Sequence, residues 1–188
     1  MLMTSAKFIK GIRGTDDIVE DGIPQILFVG RSNVGKSSII NALTGVPGLA
    51  RVGKKPGKTT EINFFLVNNN LYFVDLPGYG FARASLEERE KTRKMIVWYL
   101  GDSGVKPRRV IMVVDSKIGI TALDRDMITI LTAEGHPTII VANKVDQLSG
   151  SEQSLQIERI RQECSPLLVI PYSSKFKKGR EQLLQSLT

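Results

Sequence analysis

The apolar positions of this chain fall into two kinds of stretch. Residues 25–29, 109–115, 138–142 and 167–172 are short, nearly unbroken apolar runs, the pattern of strands buried on both faces of a sheet. Residues 61–67 and 71–76 are further β-like runs, and Asn68-Asn69-Asn70 between them signals a hairpin. Helical spacing fills the gaps. Residues 38–44 predict a helix that stops at Gly45. Ser85 with Glu88 forms a capping box that opens a helix to residue 100, and Thr121 with Asp124 resembles a second cap. In that second helix Leu123, Met127, Ile130 and Leu131 recur at helical spacing, and Gly135 ends it. Residues 151–163 predict a surface helix, and residues 179–187 a closing one carrying Leu183, Leu184 and Leu187. Strands alternating with helices predict an α/β fold, with a mainly parallel six-stranded sheet, one antiparallel hairpin strand and helices on both faces. Residues 1–24, broken by Gly11, Gly14 and Gly22-Ile23-Pro24, read as a lead-in segment, with a short edge strand as one option, ahead of a single domain over 25–188.

The turn after the first buried run carries chemistry. Gly30 to Ser37 reads GRSNVGKS, the G-x-x-x-x-G-K-[ST] spacing of a phosphate loop, set between a strand run and a helix. Glycines let consecutive backbone N–H groups turn inward toward phosphate oxygens, and the following helix adds partial positive charge. Gly30, Arg31, Ser32, Asn33, Val34, Gly35, Lys36, Ser37 and Ser38 are therefore candidate nucleotide contacts. Lys36 is placed to reach the outer phosphates, and the Ser37 hydroxyl to hold Mg²⁺.

Three further motifs fall at strand ends, where open α/β sheets bind ligands. Asp75-Leu76-Pro77-Gly78 offers a carboxylate for Mg²⁺ through water and a Gly78 N–H for the terminal phosphate; on its own it also fits an ordinary turn. Residues 46–58, rich in Gly, Pro and Lys, predict a mobile loop; Gly57 and Lys58 within it, and Thr59 and Thr60 at its end, are candidate nucleotide contacts. A threonine hydroxyl there would complete the Mg²⁺ shell only while a γ-phosphate is present. In Asn143-Lys144-Val145-Asp146 the Asp146 carboxylate accepts from guanine N1–H and the exocyclic amino group, whereas adenine presents a lone pair there. The Lys144 stem covers the base, and Asn143 ties this loop to the phosphate loop. Tyr172-Ser173-Ser174-Lys175 supplies backbone N–H groups for guanine O6. Four motifs in this order indicate a Ras-like P-loop GTPase that binds GTP and GDP, and NKVD disfavours kinases and ATPases.

Composition adds less. The chain has 188 residues, 24% charged and 41% hydrophobic, ordinary for one soluble domain. No apolar run is long enough to cross a bilayer, and no lipidation box is seen, so an unanchored cytoplasmic protein without membrane contact is expected. Cys164 is the one cysteine, which excludes an internal disulfide and fits a reducing compartment. A net charge of +7 points to a polyanionic partner, nucleic acid first.

GRSNVGKSS, KPGKTTEINFF and FVDLPGYGFA together resemble the EngB (YihA/YsxC) family of bacterial GTPases, over nearly the whole chain. The resemblance implies a monomeric Mg²⁺-dependent GTPase assisting assembly of the large ribosomal subunit, with a link to cell division and septation. It also implies Ser37 and Thr59 as magnesium ligands. The family usually has threonine where Asn143 stands. Tyr79 occupies the place where Ras-like switches put a water-orienting glutamine, so slow unaided hydrolysis is expected, with Lys36, Asn33, Thr59 and Gly78 around the reacting phosphate. Asn33 matches the asparagine of GTPases that recruit K⁺ beside the β- and γ-phosphates; it fits equally an asparagine that bonds its own backbone. Arg51, Lys54, Lys55 and Lys58, the pair Arg108 and Arg109, and Lys175, Lys177, Lys178 and Arg180 form acid-free basic clusters suited to ribosomal RNA, or else are solvated surface charge.

Overall fold

The computed structural model describes residues 3–51 and 61–187. A seven-stranded sheet forms the middle layer, in the order β1-β3-β4-β2-β5-β6-β7. Its strands are β1 (Ala6–Ile12), β2 (Gln25–Gly30), β3 (Ile62–Val67), β4 (Leu71–Asp75), β5 (Arg109–Asp115), β6 (Thr138–Asn143) and β7 (Leu168–Pro171). The helices are α1 (Lys36–Thr44), α2 (Leu86–Leu100), α3 (Ala122–Ala133), α4 (Gly150–Cys164) and α5 (Arg180–Ser186). β2, β4, β5, β6 and β7 run parallel; β3 is antiparallel to both β4 and β1.

The sheet has one strand more than the hydrophobic pattern predicts. Ala6–Ile12 joins the edge beside β3, with an irregularity between Phe8 and Lys10. Most of β1 is exposed, so its sequence carries no apolar run to announce it. In the β3–β4 turn Asn68 and Asn69 take φ of 50° and 59°, the left-handed pair that closes a tight hairpin.

Alternate residues of the central strands feed two separate cores, as the pleat requires. Ile26 and Phe28 of β2 join Ile111 and Val113 of β5 under α1 and α5. Leu27 and Val29 join Val110, Met112 and Val114 under α2, α3 and α4. Burial on both faces explains why these strands read as continuous apolar runs. Both capping boxes, Ser85 with Glu88 and Thr121 with Asp124, are formed, and Ser149 with Glu152 makes a third. The chain reverses direction across the sheet at β2, whose neighbours are β4 and β5, and the phosphate loop leaves the carboxyl end of that strand.

Candidate nucleotide-binding site

The loop between β2 and α1 is shaped to expose amides. Asn33 and Gly35 take φ of 66° and 104°. The first intrahelical bond of α1 runs from Ile39 N to Gly35 O, 3.0 Å, so the amides of Lys36, Ser37 and Ser38 have no acceptor within the helix. Gly35 offers no side chain to cap them, and the first turn carries no acid. An anion fits this end by charge and by hydrogen bonding. A Cβ on Gly35 would collide with Asn143 Nδ2, and one on Gly30 with the Val113 carbonyl, so side chains would force the loop apart at both ends.

Lys36 is buried beneath the loop, its Nζ donating to Gly30 O at 3.2 Å. Burial pushes its ammonium pKa down, while Asp75 acts the other way. Asp75 is 3% exposed, and burial pushes its carboxyl up against the opposing pull of Lys36 and the Ser37 hydroxyl. Ser37 Oγ donates to Asp75 Oδ2 at 3.0 Å, and Asp75 Oδ1 has no partner among the described residues. A buried carboxylate oxygen without a partner, beside a hydroxyl and an uncapped helix end, fits a hard divalent cation carried in with phosphates. No three His, Cys, Asp or Glu side chains converge among the described residues, so such an ion would depend on the phosphates for its remaining oxygens. Gly57, Lys58, Thr59 and Thr60 lie outside the described residues, as do Lys54 and Lys55.

The Asp75–Gly78 turn is pinned to the phosphate loop. Ser32 N donates to Tyr79 O at 2.9 Å, and Ser32 Oγ to Gly78 O at 3.1 Å. A Cβ on Gly78 would stand 2.9 Å from the Ser32 backbone. The Leu76 side chain is in the core and its N–H bonds Phe28 O, and Pro77 is also buried. The Tyr79 hydroxyl donates to Asp124 Oδ1 at 2.9 Å. Arg31 Nε lies 3.3 Å from Asp124 Oδ2, which also accepts from Thr121 Oγ1 at 2.6 Å. Asp124 thus caps α3 and joins it to the phosphate loop and to the turn beyond β4, a role that the cap motif by itself does not disclose.

The base end is built around Asn143. Its Nδ2 donates to Val34 O at 2.8 Å and its Oδ1 accepts from Ser174 N at 3.1 Å, so one buried side chain joins three loops. Lys144 takes φ of 67°, and its Nζ donates to Asp115 Oδ2 at 2.7 Å, which holds the stem across the pocket. The sequence reading missed Asp115; an acid closing an otherwise apolar strand at the ligand edge was the available signal. Asp146 is exposed and accepts from Ser173 Oγ at 2.6 Å.

The last motif is tied into the fold by its own backbone. Tyr172 is fully buried, its N–H bonds Ala142 O, and burial pushes its phenol up to about 12. Ser173 N–H serves Lys178 O, and Ser174 N–H serves Asn143. Within the motif this leaves Lys175 N–H, which donates to no described group. Arg180 leaves the basic cluster as well: its guanidinium donates to Ala42 O and Leu43 O at 2.8 and 2.9 Å, covering the carbonyl end of α1. The Asn33 side chain is exposed and makes no hydrogen bond among the described residues.

Comparison with known proteins gives this architecture a family. Residues 25–144 match the family described as 50S ribosome-binding GTPase. The probable GTP-binding protein EngB of Chlorobaculum tepidum is 41% identical, over 100% of this chain and 97% of that protein. Its counterpart in Pelotomaculum thermopropionicum is 38% identical over 98% and 94%. A crystal structure of a probable GTP-binding protein EngB, 31% identical, superposes with a TM-score of 0.73 over 86% of this chain and 95% of that one. Era in complex with MgGDPNP and nucleotides 1506–1542 of 16S ribosomal RNA, 21% identical, shares the fold at a TM-score of 0.69 over 87% of this chain and 55% of that one. Phosphate loop, base pocket and sequence relatives agree: the chain belongs to the EngB family of GTP-binding proteins and is a GTP hydrolase.

Proposed function

We propose that this GTPase uses Mg²⁺ and that its nucleotide state governs attachment to the large ribosomal subunit during assembly, as a cytoplasmic monomer. The family description names 50S ribosome binding. The observation that carries the reading to this chain is the exposed acid-free run Lys175, Lys177 and Lys178, set next to Ser173, which bonds Asp146. Within the site, Ser37 and the buried Asp75 would hold the metal from the protein side, with Thr59 as the third contributor. When bound, Mg²⁺ neutralises charge on the β- and γ-phosphates. Lys36 then leaves Gly30 O for the outer phosphate oxygens, and the amides of α1 receive the inner ones. Tyr79, held by Asp124, cannot orient water, so turnover without a partner is slow.

The test is sedimentation of the chain with large ribosomal subunits in a non-hydrolysable GTP form and in the GDP form. Retention that depends on nucleotide and falls steeply with salt is expected; identical sedimentation in both forms, or none, refutes the reading. A regulator of cell division acting through protein partners is the second reading. It is favoured by Leu86, 81% exposed, and Leu123, 47% exposed, on the helices that follow the Tyr79 turn and Thr121. Partner binding that persists at high salt would support it.

A further inference from the structure

Phe176 is an exposed aromatic beside the base pocket, in a turn that holds its shape without help from outside. The residue is 67% exposed. Phe176 N donates to Ser173 Oγ at 3.2 Å, and Ser173 N donates to Lys178 O at 3.1 Å, closing the turn. Gly179, at φ of 80°, packs so close to the Pro171 carbonyl that a Cβ there would collide with it. Ser173 Oγ donates to Asp146, which anchors the turn to the segment that follows β6. The ring is therefore presented on a fixed support and contributes nothing to either core.

The chemistry around the ring is cationic. Lys175 Nζ lies 5.0 Å from the ring centroid. Lys177 and Lys178 follow, both exposed, with no acid from residue 173 to residue 180. A lone exposed phenylalanine is ordinary. A rigid one flanked by three cations matches the demands of unpaired nucleic acid, whose bases stack on aromatic faces while phosphates meet lysines.

We propose that the turn over residues 173–178 is a stacking platform for an unpaired RNA base, with Phe176 as the platform and Lys175, Lys177 and Lys178 as phosphate contacts. This rests on the ribosomal reading above and states where RNA meets the chain.

The test uses the full chain loaded with GDP and a short single-stranded RNA carrying a fluorescent adenine analogue, whose emission falls on stacking. Wild type binds the RNA and quenches it. Phe176→Ala is expected to lose about tenfold in affinity and the quench, with an unchanged salt slope, while Phe176→Tyr keeps both. Lys177→Ala with Lys178→Ala is expected to keep the quench at saturation and flatten the slope by roughly one to two. GDP affinity stays level in all variants, which reports that the fold is intact. If Phe176→Ala binds and quenches like wild type, the platform is wrong. If wild type ignores the RNA but still sediments with large subunits, the platform is wrong and the ribosomal reading stands. Wild type that binds neither overturns both.

Discussion

Removing the Asp124 carboxylate should uncouple three parts of the site at once. The group is fully buried and accepts from the Tyr79 hydroxyl at 2.9 Å, Thr121 Oγ1 at 2.6 Å and Thr121 N at 3.0 Å, with Arg31 Nε at 3.3 Å. Asp124→Ala strands the Tyr79 hydroxyl and the Arg31 guanidinium and removes half of a capping box. Loss of a buried ion pair's partner costs about 3–5 kcal/mol. The Arg31 side chain keeps 18% exposure, which lets water take part of its charge and places the expectation at about 3–4 kcal/mol. Tyr79→Phe deletes one hydrogen bond to a charged acceptor and is expected to cost roughly 1.5–3 kcal/mol. Because the two groups touch, the double mutant should be less unstable than the sum, with a coupling of about 1–2 kcal/mol. Urea unfolding of wild type, both singles and the double measures each term, and the slope with urea checks that the denatured states match. A coupling below roughly 0.5 kcal/mol, or an Asp124→Ala penalty below about 1 kcal/mol, would refute the argument that this acid holds the turn beyond β4 to the phosphate loop.

Asp146→Asn should weaken GTP binding by about a hundredfold or more and favour xanthine nucleotides, since the amide cannot accept from both guanine donors; full GTP affinity in the variant, by fluorescence titration, would remove Asp146 from the base pocket. GTP turnover should rise well above its Na⁺ level when K⁺ is supplied at equal ionic strength, and Asn33→Ala should abolish most of the difference; equal turnover in the two salts speaks against a monovalent ion at this residue. Burial pushes the Cys164 thiol up to about 11, because the folded site disfavours the thiolate. Its folded value lies above its unfolded one, so its contribution to stability is fully present below about pH 9 and fades as pH rises toward 11. Alkylation near pH 8 should accordingly be slow in the folded chain and fast in denaturant, and equal rates would contradict that burial.

Much of this protein is decided by neighbours in sequence. Strand runs buried on both faces, the capping boxes at Ser85 and Thr121, and the Asn68-Asn69 turn depend on residues a few places apart, so their pattern is complete in the chain itself. The phosphate loop is legible for the same reason: spacing within Gly30 to Ser37 sets both the backbone turn and the helix end. Asn143, read from its motif as the tie to the phosphate loop, does bond Val34 O, but most other roles that join distant segments needed tertiary structure. Thr121 and Asp124 read as a local cap, yet Asp124 also takes the Tyr79 hydroxyl 45 residues away. Arg180 reads as one more surface cation, but its guanidinium closes α1 at Ala42, 138 residues earlier. Tyr172 reads as part of a base-binding motif, while the register of β6 with β7 carries its side chain into the core. A linear pattern states which residue types are available and how often they repeat. Which carboxylate meets which donor is settled only when strand order brings loops from separate crossovers to the same edge of the sheet.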